Sequence, residues 1–136
     1  MSTTNIDQLS GDSALFSGLT KKERKAVARL LTPVNVVQGT VLAREGDVGR
    51  EAILIASGTA SVERDGNKVA TLGPGEFFGE LALLTGAPRV AMVTAETDMV
   101  VAALSRQEFA SLLDTSPQIA QKILVDAVRR LQQNAA

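Results

Sequence analysis

The chain has 136 residues, 45% of them apolar and 21% charged, which is the size and composition of one globular domain with its own core. It contains no Cys, His, Trp or Tyr, which excludes disulfides, thiolate and imidazole catalysis, Ser-His-Asp and Cys-His triads, and zinc, haem or iron–sulfur centres of the usual His- or Cys-ligated kinds. The net charge of −1, from 14 Lys+Arg against 15 Asp+Glu, lacks the basic excess of a nucleic-acid-binding domain, so what remains is carboxylates, guanidinium groups, hydroxyls and amides, a set better suited to binding than to catalysis.

The first twelve residues are polar and lack a basic stretch followed by an apolar core, so no secretory signal is expected. No segment approaches the ~20 apolar residues of a membrane span, and a cytoplasmic location follows by default. Ala14-Leu15-Phe16 and Leu19 predict a short helical turn. Thr20-Lys21-Lys22-Glu23 is a capping box that opens a helix, Val27, Leu30 and Leu31 supply its apolar stripe, and Pro33 stops it and biases Thr32 to an extended shape. The basic residues Lys21, Lys22, Arg24, Lys25 and Arg29 read as the solvated face of this helix rather than as a phosphate patch.

From residue 34 to 104 the pattern changes to short apolar runs cut by glycines. Val34–Val37, Val41–Arg44, Ala52–Ala56, Thr59–Arg64, Lys68–Leu72, Val90–Ala95 and Met99–Leu104 read as strands, and a further strand ends at Phe78. Asp65-Gly66 between two of them predicts a two-residue hairpin turn, because both residues tolerate positive φ. Short strands at this spacing, with no helices between most of them, imply an antiparallel β-roll of the jelly-roll kind; a parallel sheet would need crossover helices.

Helices return at the end. Ser105-Arg106-Gln107-Glu108 is a second capping box, with Phe109, Leu112 and Leu113 as the apolar face behind it. Ser116-Pro117 places a cap and an N1 proline at the start of a third helix, whose stripe is Ile119, Ile123, Leu124, Ala127, Val128 and Leu131. That stripe can pack on the chain's own sheet or on a second copy. The whole chain, 1–136, reads as one domain: N-terminal helices over 13–33, a roll over 34–104 and C-terminal helices over 105–133.

Residues 75–91, GEFFGELALLTGAPRVA, carry the chemistry. Gly79 lets the chain turn tightly after the strand, and Glu80 to Leu84 can form one or two helical turns whose first amides point outward as an anion site. Gly86 and Pro88 bring the chain back, and Arg89 stands just before the next strand. An arginine with free amides suits a phosphate. The Glu80 carboxylate would repel a phosphate beside it but can accept from hydroxyls a few Å away, as on a ribose. The bland reading is a Glu80–Arg89 pair across the loop, worth only ~0–1 kcal/mol if exposed.

The Phe-Gly-Glu-Leu-Ala-Leu segment followed by Pro-Arg-x-Ala resembles the phosphate-binding cassette of the cyclic-nucleotide-binding domain family, which includes catabolite-activator-like regulators, kinase regulatory subunits and cyclic-nucleotide-gated channels. The resemblance covers nearly the whole chain, with Gly39, Gly46, Gly58, Gly75 and Gly79 where that family's roll has its turns. It implies a ligand rather than a cofactor, and assigns roles. Glu80 accepts from the ribose 2′-hydroxyl and Arg89 pairs with the exocyclic phosphate oxygens. Gly79, Leu81, Ala82, Val90 and Ala91 complete the cradle, with amides near Ala82 and Val90. Members that favour guanine often carry Thr after the arginine; Val90 here points to cAMP over cGMP. Arg50 and Ile53 depart from the family pattern, which has an Asp and an aromatic there, and are expected to lie in an outer hairpin away from the ligand. With no Trp or Tyr, a base cap from the last helix would fall to Arg129 or Arg130, against the alternative that both are a solvated C-terminal turn.

The mechanism so implied is a ligand-gated switch: the phosphate orders Glu80–Leu84, Leu83 and Leu84 repack against a hinge at Phe109 and Leu112, and the last helix closes as a lid. A ligand shifts such an equilibrium only by its differential affinity for the two states. Three rivals stand beside it. A DNA-binding regulator would need a helix-turn-helix, which does not follow the roll within this chain, so direct nucleic-acid binding is not expected of it. An enzyme would have to work with Glu76 and Glu80 and without His or metal ligands. A roll that binds no nucleotide would be an interaction module. The expected partners are a cyclic nucleotide, an effector domain, and a second copy through the last helix.

Overall fold

Strand β3, Glu51–Ser57, sets the architecture because it is apolar on both sides. Ala52 and Leu54 face one core and Ile53 and Ile55 the other, all at 4% exposure or less, the continuous apolar run of a strand covered on both faces. The computed structural model describes residues 18–79 and 88–133, with residues 126, 127 and 130–133 described in their backbone only. The other described strands are β1 (Thr32–Val36), β2 (Val41–Ala43), β4 (Ala60–Arg64), β5 (Asn67–Leu72), β6 (Phe77–Phe78), β7 (Met92–Ala95) and β8 (Met99–Ser105). They form two four-stranded sheets, in the orders β1-β8-β3-β6 and β2-β7-β4-β5, with every pairing antiparallel. This is the roll expected from the sequence.

Period-2 alternation divides the side chains between two cores. Ile53, Ile55, Phe78, Met99 and Val101 of the first sheet meet Ala43, Ala60, Leu72, Val93 and Ala95 of the second. On the other face of the first sheet, Ala52, Leu54, Phe77, Ala102 and Leu104 meet the helices α1 (Lys21–Ala28), α2 (Arg106–Thr115) and α3 (Pro117–Gln133) through Val27, Phe109, Leu112, Ile119, Ala120 and Ile123. The hairpin between β4 and β5 has Asp65 at φ 54° and Gly66 at φ 80°, as its sequence predicts.

Both capping boxes form. Thr20 Oγ1 accepts from the Glu23 amide at 3.2 Å and Ser105 Oγ from the Glu108 amide at 3.0 Å, and each glutamate accepts from the cap amide at 2.9 Å in return. Helix α1 ends earlier than Pro33 alone implies. Its C-cap is Arg29, and Leu30 and Leu31 lie in a tighter turn bonded to the Val27 and Ala28 carbonyls. Two stripe positions are corrected: Leu113 and Val128 are 44% and 45% exposed, at the rim of helices whose buried faces centre on Leu112 and Ile123. The basic residues of α1 sit on its solvated face, apart from half-buried Arg24, whose Nη1 donates to the Leu19 carbonyl at 2.8 Å. The helical turn expected at Ala14–Phe16 lies outside the described residues. No described helix is long and apolar enough to cross a membrane.

Candidate functional site

Arg89 is fixed at three points. Its amide donates to the Asp47 carbonyl at 2.7 Å, its carbonyl accepts from the Gly46 amide at 2.8 Å, and Nη2 donates to the Glu51 carbonyl at 3.1 Å. Pro88 also bridges Val48. The turn between β2 and β3 thus clamps the backbone of Arg89, and the first residue of β3 orients its guanidinium. This clamp explains why β7 begins at Met92 rather than at the expected Val90, since residues 88 and 89 are committed to the 46–48 turn.

Gly79 closes the arrangement from the other side. Its φ is +82°, and a Cβ there would run into the Arg89 guanidinium and stand 2.8 Å from the Glu51 carbonyl. The register of β3 on β6 makes this contact: Ile53 pairs with Phe78, which leaves Gly79 beside Glu51. Segments distant in sequence, 46–51, 79 and 88–89, therefore meet at one arginine, whose Nη1 is buried.

A cavity of about 310 Å³ opens at this point, lined by Val41, Leu42, Ala43, Arg44, Asp47, Val48, Arg50, Glu51 and Arg89. Its lining residues are three arginines, two acidic residues, the three residues of β2 and the exposed Val48. Two expectations are corrected here. Arg50 is not remote from the site but lines the same cavity as Arg89, and Ile53 pairs with Phe78 at the entry to the cassette. Arg44 and the main-chain partners Gly46, Asp47 and Glu51 were not among the candidates that the sequence offered. Gly46-Asp47 is visible in the sequence as a turn, but which strand that turn clamps is a matter of register.

Of the other sequence-nominated residues, Val90 is 55% exposed and Ala91 is buried. Glu80, Leu81, Ala82, Leu83 and Leu84 lie outside the described residues. Phe109 and Leu112 are buried at the junction of α2 with the first sheet, where a hinge is expected. Arg129 is exposed on α3, and the side chain of Arg130 lies outside the described residues. Glu76 braces a turn, its Oε2 accepting from the Gly73 amide at 2.6 Å. Among the described residues no group of three carboxylates is placed to hold a metal ion.

The family of cyclic nucleotide-binding domains matches residues 33–116, which takes in both sheets and α2. The chain belongs to this family. It is 39% identical over 119 residues to a cAMP-dependent protein kinase regulatory subunit of Blumeria graminis, covering 86% of this chain and 30% of that protein. The catabolite activator protein of Thermus thermophilus has the same fold, with a TM-score of 0.80 at 32% identity over 90% of this chain and 60% of that one. The regulatory domain of Toxoplasma gondii protein kinase A, solved with cAMP, superposes with a TM-score of 0.70 at 34% identity over 78% of this chain and 42% of that one. The chain spans about a third of the length of the curated relatives it matches. Gly79 and Arg89, which flank the segment expected to bind phosphate, thus meet at one guanidinium.

Proposed function

We propose that the chain is a cAMP-binding sensor domain. The observation that carries this reading is Arg89: a guanidinium oriented by main-chain groups at the edge of a cavity of about 310 Å³, in a chain of the cyclic nucleotide-binding family. Arg89 takes the cyclic phosphate, since a fork of N–H donors matches two phosphate oxygens better than a point charge does. Glu80 accepts from the ribose 2′-hydroxyl, and the amides near Ala82 and Val90 complete the cradle.

Cyclic AMP stands ahead of cGMP for two reasons. Val90 offers no hydroxyl to a guanine, and the relatives include kinase regulatory subunits named for cAMP and a structure solved with it. Binding changes the balance between two arrangements of the cassette and of α2 and α3, with Phe109 and Leu112 as the hinge. That balance passes to an effector, a kinase or other domain or a second copy of the chain. The site works by binding and release, without turnover of the nucleotide.

Side-by-side calorimetric titration with cAMP and cGMP tests the reading. Saturable binding with cAMP the tighter ligand, and cAMP recovered intact, is the expected result. Absence of binding to both nucleotides overturns it in favour of an interaction module, and hydrolysed cAMP overturns the non-catalytic part.

A further inference from the structure

The cavity at Arg89 carries two more arginines, Arg44 and Arg50, and both are exposed, so neither is required by the core. Three arginines and two acidic residues, Asp47 and Glu51, are among the residues that line it, an excess of positive charge around one small volume. Like charges gathered this way repel one another, and an anion between them relieves the repulsion. The two extra arginines differ in how they are tethered. Arg44 follows β2 and opens a turn, its carbonyl accepting from the Asp47 amide at 3.1 Å. Arg50 directly precedes Glu51, the residue whose carbonyl orients the Arg89 guanidinium. Its own carbonyl accepts from the Arg106 amide at 3.0 Å, and Glu51 pairs with Ser105 on β8, so the main chain that carries Arg50 is pinned on both sides. Only the long side chain is left to swing, from an origin one residue away from the group that holds Arg89.

We propose that Arg50 is a second phosphate-binding residue of this site, its guanidinium closing on the ligand's phosphate beside that of Arg89. The proposal rests on the nucleotide-binding reading above and extends it to a residue outside the cassette. A second charge-assisted contact to the same phosphate tightens binding and makes it more sensitive to salt, because Arg50 reaches the ligand from the solvent side.

The test titrates the full chain with cAMP as wild type, R50Q and R50K, at low salt and at about 1 M salt, where the screening length falls to ~3 Å. At low salt R50Q is expected to bind about tenfold more weakly than wild type, with the deficit shrinking to about twofold or less at high salt. R50K keeps the charge and is expected to stay within about threefold of wild type at low salt. The thermal midpoints of both variants should match that of wild type, since the side chain is exposed. Unchanged affinity in R50Q overturns the proposal and leaves the nucleotide reading standing. So does a deficit equal at both salts, or an R50K as weak as R50Q, because either marks a structural effect. Failure of the wild type itself to bind overturns the nucleotide reading and this proposal together.

Discussion

Arg89 and Glu51 are joined through the main chain of one and the side chain of the other: Nη2 of Arg89 donates to the Glu51 carbonyl at 3.1 Å. A neutral carbonyl fixes the plane of the guanidinium without neutralising its charge. A carboxylate in the same place would orient it equally well but would cancel the charge that an anionic ligand needs. The Arg89 guanidinium is oriented in advance, so the proposed phosphate contact leaves less ordering to be done at this side chain.

Replacing Arg89 separates charge from fork geometry. R89A is expected to weaken cAMP binding by about 1.5–3 kcal/mol, roughly ten- to a hundredfold, the scale of a hydrogen bond to a charged group. R89K keeps the charge but has neither the planar fork nor the fixed donor to Glu51, and should fall between the two. Calorimetric titration reads both, and a wild-type affinity in R89A would remove the phosphate role.

Gly79 is needed for two reasons that act together. At φ +82° any other residue is strained, by ~1–3 kcal/mol, and its Cβ would displace the Arg89 guanidinium and crowd the Glu51 carbonyl. G79A is therefore expected to lower both stability in urea unfolding and affinity for cAMP. A variant with lowered stability but unaltered affinity would mean that Gly79 serves the turn and not the arginine.

What the sequence revealed and what it hid divide along local and non-local lines. The capping boxes at Thr20 and Ser105, the N1 proline at 117 and the positive-φ turn at Asp65-Gly66 were legible because each is specified by residues within four positions of one another. Strand periodicity likewise showed which residues alternate, but not that β3 lies between β8 and β6. That pairing is what sets Glu51 beside Gly79 and brings Arg50 to the cavity, so Arg50 and Ile53, read as remote, belong to the site's surroundings. Leu113 and Val128 were misplaced for a related reason. Three-to-four spacing marks a broad face, and the packing partner decides which edge of it is covered. The cassette was legible as a motif, while its clamp by Gly46 and Asp47 was not.

Phe77 links the first sheet to α2. It is fully buried in the cluster with Phe109 and Leu112, whereas its neighbour Phe78 points into the other core. F77A should cost ~3–5 kcal/mol, a large share of a typical domain's total of ~5–15 kcal/mol. Urea unfolding is expected to show a lower midpoint with an unchanged slope. A loss below about 1 kcal/mol would mean that the sheet and helices are not packed through this ring.

The pair of Glu23 and Lys122 ties α1 to α3 across 99 positions of sequence, with Nζ 2.8 Å from Oε1. The same Oε1 accepts from the Thr20 amide, so one carboxylate both caps α1 and holds α3. The hydrogen bond from Lys122, and after it that from the Thr20 amide, hold the Glu23 carboxyl below its ordinary value of 4.5. The folded chain then binds this proton less readily than the unfolded chain. The resulting stability is fully present above the ordinary value and is lost as the pH falls through the lowered one. Lys122 is 40% exposed, so the contribution is modest, about 1 kcal/mol or less. K122M removes the larger cause of the shift and leaves the capping box in place. It should lower stability slightly near neutral pH and match wild type in strong acid, where Glu23 is protonated in both. Urea unfolding of the two proteins across that range checks this, and parallel curves with a constant gap would show that Lys122 acts through packing and not through the Glu23 charge.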